Sequence, residues 1–165
     1  MNANEINSYL SAARSIMQGA EFCFLITHSR QGEMHARLMQ PFQPEEDLSV
    51  WFGVSPKSRK VHEIEQNPLV TLTYHYPAEK AYVSVQGRAT LHVDVPLRKQ
   101  YWRESWFAFW PEGPEGDDFI LIQVLPYQID IMNFDQGITP EPFGLRPLIL
   151  TKELDQWVVL EDSSA

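Results

Sequence analysis

The sequence is poor in cysteine, in positive charge and in long apolar runs. Cys23 is the only cysteine among 165 residues, so one chain can form no disulfide and no thiolate metal cluster, and a buried hydrophobic role is expected for it. The net charge of −9 disfavours a nucleic-acid partner, because a protein that binds nucleic acid must neutralise many phosphates with Lys and Arg side chains. No apolar run approaches the roughly 20 residues that span a bilayer, and the N-terminus lacks the pattern of a secretory signal. We therefore expect a cytoplasmic protein without a membrane partner.

The sequence marks of several common catalytic sites are also missing. The five histidines contain no i, i+4 pair and no HExxH, so no metal site is predicted; they are His28, His35, His62, His75 and His92. There is no GxSxG, no Walker loop and no GxGxxG, and the carboxylates form no recognisable acid/base pair. The sequence therefore assigns no catalytic residue.

Short runs of strand-forming residues dominate what is present. Helical spacing predicts helices over residues 4–18, 55–68 and 95–110, the second with Ser55 as N-cap and Pro56 at its first position. Strands are predicted over residues 21–28, 33–40, 48–54, 69–76, 81–93, 119–126 and 127–134, with a bend or bulge at Pro126. Six or seven strands and so few helices indicate a mainly β fold, an antiparallel barrel with peripheral helices.

We predict that the chain has two parts, which meet after residue 134. Residues 1–134 form the barrel domain, and residues 135–165 form a C-terminal extension. Its first part is rich in proline and glycine and is expected to be irregular. The apolar pieces LRPLILTKEL and QWVVLED form either an added hairpin or an arm that crosses onto a partner subunit.

A basic run in an acidic chain is the strongest local anomaly. Lys57, Ser58, Arg59 and Lys60 lie at the start of a predicted helix, where cations oppose the helix dipole unless an anion sits among them. Backbone N–H groups, the hydroxyls of Ser55 and Ser58 and the guanidinium of Arg59 would make a phosphate cradle. A solvated charged turn is the alternative, and composition alone does not separate the two.

Two further features are candidates for a binding site. Arg37 lies on a predicted strand among uncharged neighbours, either as a ligand-binding residue or as an edge-strand arginine facing water. Aromatic residues offer flat surfaces for a conjugated ring, although core or interface packing explains most of them equally well; they are Trp51, Phe52, Tyr74, Tyr76, Tyr82, Trp102, Trp106, Phe107, Phe109 and Trp110.

The order of these features resembles the pyridoxamine 5′-phosphate oxidase-like FMN-binding split barrels, and within them the general stress protein branch. The resemblance spans roughly residues 5–133 and rests on the N-terminal helix followed by CFLITHSRQGEMHARLMQP, SVWFGVSPKSRKVHEIEQNPLVTLTY, AYVSVQGRATL and SWFAFWPEGPEGDDFILIQVLP. It implies an FMN cofactor. The implied FMN-binding residues are Arg37, Leu38, Met39, Gln40, Phe52, Gly53, Val54, Ser55, Ser58, Arg59, Lys60, Tyr82, Ser84 and Trp106.

The resemblance also implies particular roles and departures. Arg37, Arg59 and Lys60 match the phosphate-binding positions, and the residues after Arg37 match the lining of the isoalloxazine. Val54 stands where the family commonly has threonine, and Tyr82 where the true oxidases have glutamine. The C-terminal part shows no counterpart of the arginine and histidine with which those oxidases bind their substrate. The departures at Tyr82 and in the C-terminal part weigh against oxidation of vitamin B6.

Three functions follow from the resemblance. The first is an FMN-dependent oxidoreductase acting on an unknown small molecule or electron donor. It would be a homodimer with FMN in the interface, approached by Trp106 of the partner chain. The second is a non-catalytic flavin-binding or stress-linked protein on the same barrel. The third is a haem-handling barrel of similar architecture.

Overall fold

Antiparallel strands and a few helices build the fold over residues 2–160, which the computed structural model describes. Eight strands are formed within this range: β1 (Cys23–His28), β2 (Met34–Met39), β3 (Val50–Val54), β4 (Leu69–Tyr76), β5 (Ala81–His92), β6 (Ile120–Asn133), β7 (Leu148–Glu153) and β8 (Gln156–Val159). The α-helices are α1 (Ala3–Ala20), α2 (Arg59–Gln66) and α3 (Val95–Gln100), and 3₁₀ turns cover Pro77–Glu79, Glu104–Ala108 and Gly113–Glu115. The predicted mainly β, antiparallel fold is confirmed.

The sheet runs in the order β2-β1-β4-β5-β6-β7-β8, and β3 pairs separately with β6. Strand β6 pairs with β5 along its length, with β3 through residues 120–124 and with β7 through residues 128–131. Among the strands described, β2 pairs only with β1 and β3 only with β6. The barrel is therefore split between these two edges.

The longest strand differs from its prediction. Ile120–Asn133 form one continuous strand where two were predicted over residues 119–126 and 127–134, because the chain passes Pro126 with only a local shift of register. Gly87 pairs with Pro126 and Gln86 with Gln128, so Tyr127 is the extra residue of a bulge. The predicted irregularity at Pro126 is thus present, but it does not end the strand.

Apolar residues of the strands and of α1 form the main core. Ala13, Ile16 and Met17 of α1 are buried against the sheet, and an Asn2–Glu5 capping box closes the start of this helix. Along β5 the predicted alternation is present, with Val83, Val85 and Ala89 inside and polar neighbours outside. Cys23 is buried, as expected. None of the helices that the described residues form is both long and apolar enough to cross a membrane.

Two helix predictions were wrong in their bounds. Helix α2 begins at Arg59 with Ser58 as N-cap, because residues 55–58 form a turn closed by a 3.1 Å bond from the Ser58 N–H to the Ser55 carbonyl. The helix predicted over residues 95–110 ends at Gln100. Beyond it the aromatic side chains pack onto β3, and Tyr101 stacks on Trp51 at 4.3 Å between ring centroids. Tertiary packing here overrides helix propensity.

The C-terminal pieces form a hairpin on the same sheet. Strand β7 pairs with β6 and β8 pairs with β7, so the sheet continues past residue 134. The hairpin adds two strands to the six formed before residue 134. The division of the chain at residue 134 stays a prediction. Residues 161–165 of the predicted extension lie outside the described range.

Candidate functional site

A cluster of charged side chains forms where α2 packs over β1 and β2. Arg37 of β2 lies opposite Leu25 of β1, and its Nη1 donates to the Leu25 carbonyl at 3.2 Å and to the Thr27 hydroxyl at 2.7 Å. Its Nη2 lies 3.4 Å from Oε2 of Glu63 on α2. The Arg37 guanidinium therefore extends along β1 toward α2 and lies at the open edge of the barrel.

Glu63 is the buried centre of this cluster. Its side chain is 7% exposed, and it accepts a hydrogen bond from Thr27 and another from His35 Nδ1 at 2.5 Å. Arg59 lies one helical turn earlier, with Nε 3.7 Å from Oε1 of Glu63. Burial by itself would raise the pKa of Glu63, but these hydrogen bonds and the charges of His35 and Arg37 lower it overall. Glu63 is therefore a carboxylate at neutral pH.

The first turn of α2 brings further cations to the same place. Burial lowers the pKa of Lys60, and the charge of Arg37 lowers it further. Burial also lowers the pKa of Arg37; Glu63 opposes this shift and Arg59 adds to it. Arg37 and Arg59 approach the same carboxylate, that of Glu63, and the charge of Arg37 acts unfavourably on both Arg59 and Lys60. A bound anion would relieve that repulsion.

The hydroxyl of Ser58, at the start of α2, is a separate polar feature of this region. Its hydroxyl oxygen is buried and has no hydrogen-bond partner among the described residues, although it is the N-cap of α2. A buried hydroxyl without a partner is costly, and a phosphate oxygen is the acceptor that this position fits. The residues present thus fit a phosphate group at the start of α2.

An aromatic cavity lies beside the cluster, between the two edges of the split barrel. Its volume is about 490 Å³, and its lining consists of Leu38, Met39, Gln40, Gly53, Trp106, Phe109 and Trp110. Gly53 is required there, because a Cβ at this position would lie 2.4 Å from Cζ3 of Trp106. Trp106 packs edge-on against Trp110 with ring centroids 5.4 Å apart. The lining contains no ionisable side chain, so the cavity suits a flat, conjugated ring.

Most of the predicted site residues fall into one of these two groups. Arg37, Ser58, Arg59 and Lys60 belong to the cation cluster, whereas Leu38, Met39, Gln40, Gly53 and Trp106 line the cavity. Trp106 reaches the cavity from the same chain, so no partner is needed to bring it to Met39. The roles of these residues stay predictions.

The other predicted residues lie elsewhere. Phe52 and Val54 are buried in the barrel core, and the Ser55 hydroxyl accepts the Lys57 backbone N–H within the turn before α2. Tyr82 lines a second cavity of about 370 Å³ together with His75 and Phe134. Ser84 lies on β5 opposite Thr73 and Asp130. The structure does not bring these five side chains to the cluster or the aromatic cavity.

Three residues of the cluster are absent from the sequence-based prediction, namely Thr27, His35 and Glu63. The spacing of Arg59 and Glu63 at i and i+4 was a usable signal, since such residues face each other on a helix. Thr27 and His35 carried no such signal, because they are cross-strand neighbours whose pairing depends on the hairpin register.

An antiparallel barrel that is open between two edge strands, with a cation cluster on one edge and an aromatic cavity in the opening, defines a split-barrel protein. The comparison with known families gives the same class from sequence. The model named "Pyridoxamine 5'-phosphate oxidase like" matches residues 10–130, and the chain belongs to this family.

Individual relatives agree with this assignment. The chain is 29% identical over 107 residues to General stress protein 26 of Bacillus subtilis, covering 63% of this chain and 74% of the relative. The crystal structure of General Stress Protein 26 from Bacillus anthracis has a TM-score of 0.64 and 26% identity, covering 75% of this chain and 93% of that one. A pyridoxamine 5′-phosphate oxidase-related, FMN binding protein from Nostoc punctiforme has a TM-score of 0.65 over 96% of both chains; at 18% identity it shows a shared fold.

Proposed function

We propose that this protein binds FMN and acts as an FMN-dependent oxidoreductase of the general stress protein branch. The observation that carries the proposal is the approach of Arg37 and Arg59 to one carboxylate, Glu63, on the helix whose N-cap is Ser58, a residue with a buried hydroxyl that has no partner among the described residues. The aromatic cavity adjoins the same strand, β2. The Nostoc relative, which is described as FMN binding, supports the choice of this flavin. FMN, when bound, supplies the electron transfer, and the protein supplies binding and orientation.

Each group of residues has its own part in this proposal. The guanidinium groups of Arg37 and Arg59 and the ammonium of Lys60 hold the phosphate, and the Ser58 hydroxyl donates to one of its oxygens. Met39, Gln40 and Trp106 enclose the ring system and exclude water from it. Gln40 is the one polar side chain in that lining and orients the ring edge by hydrogen bonding.

Titration of the purified protein with FMN tests this directly. We expect one FMN per chain, a shift of the flavin absorbance band and quenching of tryptophan fluorescence, because Trp106 and Trp110 line the cavity. Riboflavin has the same ring without the phosphate, so it should bind more weakly. A protein that stays colourless and does not respond to added FMN would disprove the proposal.

A non-catalytic flavin-binding protein is the second candidate, and one observation favours it. The residues that line the cavity include no side chain that can donate or accept a proton during turnover. Anaerobic photoreduction followed by addition of oxygen or of NAD(P)H distinguishes the two functions. Flavin that is bound tightly but exchanges electrons with no small donor or acceptor would favour a storage or sensing role.

A second copy of the chain is the protein partner in this proposal. Phe24 and Leu38 are paired across β1 and β2 on the outer face of the sheet and are 49% and 58% exposed. The same cross-strand row continues through Thr73 to Ser84, so a homodimer over this face would bring the predicted residue Ser84 toward the partner's cavity. Apolar side chains exposed side by side are typical of such interfaces.

Sedimentation equilibrium tests the dimer. Phe24→Glu should give a monomer, because it places a charge in the centre of the proposed interface. Leu154→Glu is the matched control, since Leu154 is fully exposed in the turn between β7 and β8. A monomeric parent protein would disprove this part of the proposal. The proposed cytoplasmic location is testable by fractionation of the cells that make the protein.

A further inference from the structure

The hydrogen bonds around Arg37 have a defined direction. The hydroxyl of Thr27 has one proton, and it donates that proton to Oε2 of Glu63. Its oxygen can then only accept from Arg37, whose Nη1 lies 2.7 Å away. Thr27 is completely buried, so no exposed surface competes for this hydroxyl. The hydroxyl therefore acts as a fixed acceptor for the guanidinium.

Glu63 determines that direction. An ionised carboxylate only accepts hydrogen bonds, so the Thr27 hydroxyl must donate to it and the His35 ring must carry its proton on Nδ1. His35 is the cross-strand partner of Thr27, and the two donate to different oxygens of the carboxylate, Thr27 to Oε2 and His35 to Oε1. The result is a chain of directed hydrogen bonds from Arg37 through Thr27 to Glu63.

The same geometry leaves Arg37 able to bind a ligand. Oε2 of Glu63 is 3.4 Å from Nη2 of Arg37, and Oε1 is 3.7 Å from Nε of Arg59, so both ion pairs are long. The short contacts of Glu63 go instead to Thr27 and His35. Arg37 retains 20% exposure and Arg59 65%, and a guanidinium has five donors. Glu63 thus holds Arg37 and Arg59 in place and leaves part of their N–H donors for a ligand.

We propose that Glu63, acting through Thr27, is a positioning residue that aims Arg37 at the phosphate of the bound flavin and so sets the preference for phosphorylated over unphosphorylated ligand. This inference rests on the proposed function, in which Arg37 contacts that phosphate. Because Glu63 touches neither phosphate nor ring, its effect is confined to ligands that carry the phosphate.

Dissociation constants for FMN and riboflavin, measured on the same variants, test the inference. Glu63→Gln and Thr27→Val should each raise the FMN dissociation constant about tenfold, the usual effect of losing one hydrogen bond to a charged group, and leave riboflavin unchanged. Thr27→Ser keeps the hydroxyl and should bind FMN like the parent. Glu65→Gln is the control on the same helix, since Glu65 is exposed.

Three results would overturn the inference. FMN binding that tightens in Glu63→Gln would make Glu63 a competitor of the phosphate instead of a positioning residue. Equal weakening of FMN and riboflavin would make its role merely structural. Unchanged FMN affinity in Thr27→Val would show that Thr27 does not position Arg37. Valine is close to threonine in shape, so this variant tests the same hydrogen bonds even if Glu63→Gln does not fold.

Arg37→Ala separates this inference from the function on which it rests. If Arg37 is the residue being positioned, Thr27→Val should have no further effect on FMN affinity in the Arg37→Ala background. Equal effects of Thr27→Val in both backgrounds would overturn the inference and leave the proposed function standing. An Arg37→Ala protein that keeps the full preference for FMN over riboflavin would also overturn the inference, because it would remove Arg37 from the phosphate site. Riboflavin bound as tightly as FMN by the parent protein would instead disprove the phosphate site itself.

Discussion

The cation cluster and the aromatic cavity are neighbours, but they are built in opposite ways. The cluster joins residues far apart in the chain through directed hydrogen bonds to one buried carboxylate, Glu63. The cavity is enclosed by apolar and aromatic side chains and one amide, and its shape depends on the absence of a Cβ at Gly53. In the proposed function, charge at the cluster selects for the phosphate and shape at the cavity selects for the ring. Changes at the cluster should therefore weaken FMN more than riboflavin, whereas changes at the cavity should weaken both alike.

The largest effect is expected from the basic turn of α2. Arg59→Ala combined with Lys60→Ala should raise the FMN dissociation constant about a hundredfold or more, because two hydrogen bonds to a dianion are lost. Riboflavin affinity and melting temperature should change little. Lys57→Ala is the matched control from the same basic run, since Lys57 is exposed and precedes the helix. Equal FMN affinity in the double variant and in the Lys57→Ala control would show that the basic turn does not bind the phosphate.

A change at the cavity should affect both flavins alike. Gly53→Ala forces a Cβ to within 2.4 Å of Trp106, and such overpacking costs about 1–3 kcal/mol of unfolding free energy. FMN and riboflavin should lose affinity by the same factor. Trp106→Ala in the Gly53→Ala background should recover part of the stability in urea unfolding. Selective loss of FMN binding would contradict the assignment of the cavity to the ring.

The pH dependence of stability should reveal the buried carboxylate. The pKa of Glu63 is lowered from its ordinary value of 4.5 in the folded protein, so its contribution is fully present above about pH 4.5 and is lost as the pH falls through the folded value. Urea unfolding at a series of pH values should show a shallower acid decline in Glu63→Gln than in the parent. Glu65→Gln should follow the parent. Parallel acid declines in all three proteins would argue against a stabilised Glu63 carboxylate.

The smallest effect concerns Cys23, a core residue on β1 that pairs with Met39, one of the residues lining the cavity. Burial raises the pKa of the Cys23 thiol to about 12, against a smaller opposing effect of the nearby Tyr74 hydroxyl. A disulfide reagent at pH 8 should therefore leave the native thiol unmodified, with or without FMN, and react fully in denaturant. Rapid labelling of the native protein would show that the core around Cys23 opens to water.

The sequence carried enough information for the strands and for the cations of the site. Period-two alternation in β5 and turn residues between apolar runs predict the meander, and a basic run in an acidic chain points to an anion. The N-cap of α2 and the end of α3 were not predictable in the same way. At both places a local turn or the packing of Tyr101 on Trp51 decides the boundary.

The centre of the cation cluster was the least predictable part. Glu63 occupies an ordinary position in an amphipathic helix, and only the docking of α2 on β1 buries it beside Thr27. His35 and Thr27 face each other because of the hairpin register, which sequence spacing alone does not specify to one residue. Tertiary contacts between distant segments therefore supply what local patterns leave out.

A crystal structure of the protein with FMN would show the proposed site itself. We expect phosphate oxygens within hydrogen-bond distance of Arg37, Arg59 and the Ser58 hydroxyl, with the ring system between Met39 and Trp106. Thr27 should remain bonded to both Arg37 and Glu63. A phosphate bound away from the start of α2, or a ring bound outside the aromatic cavity, would contradict this expectation.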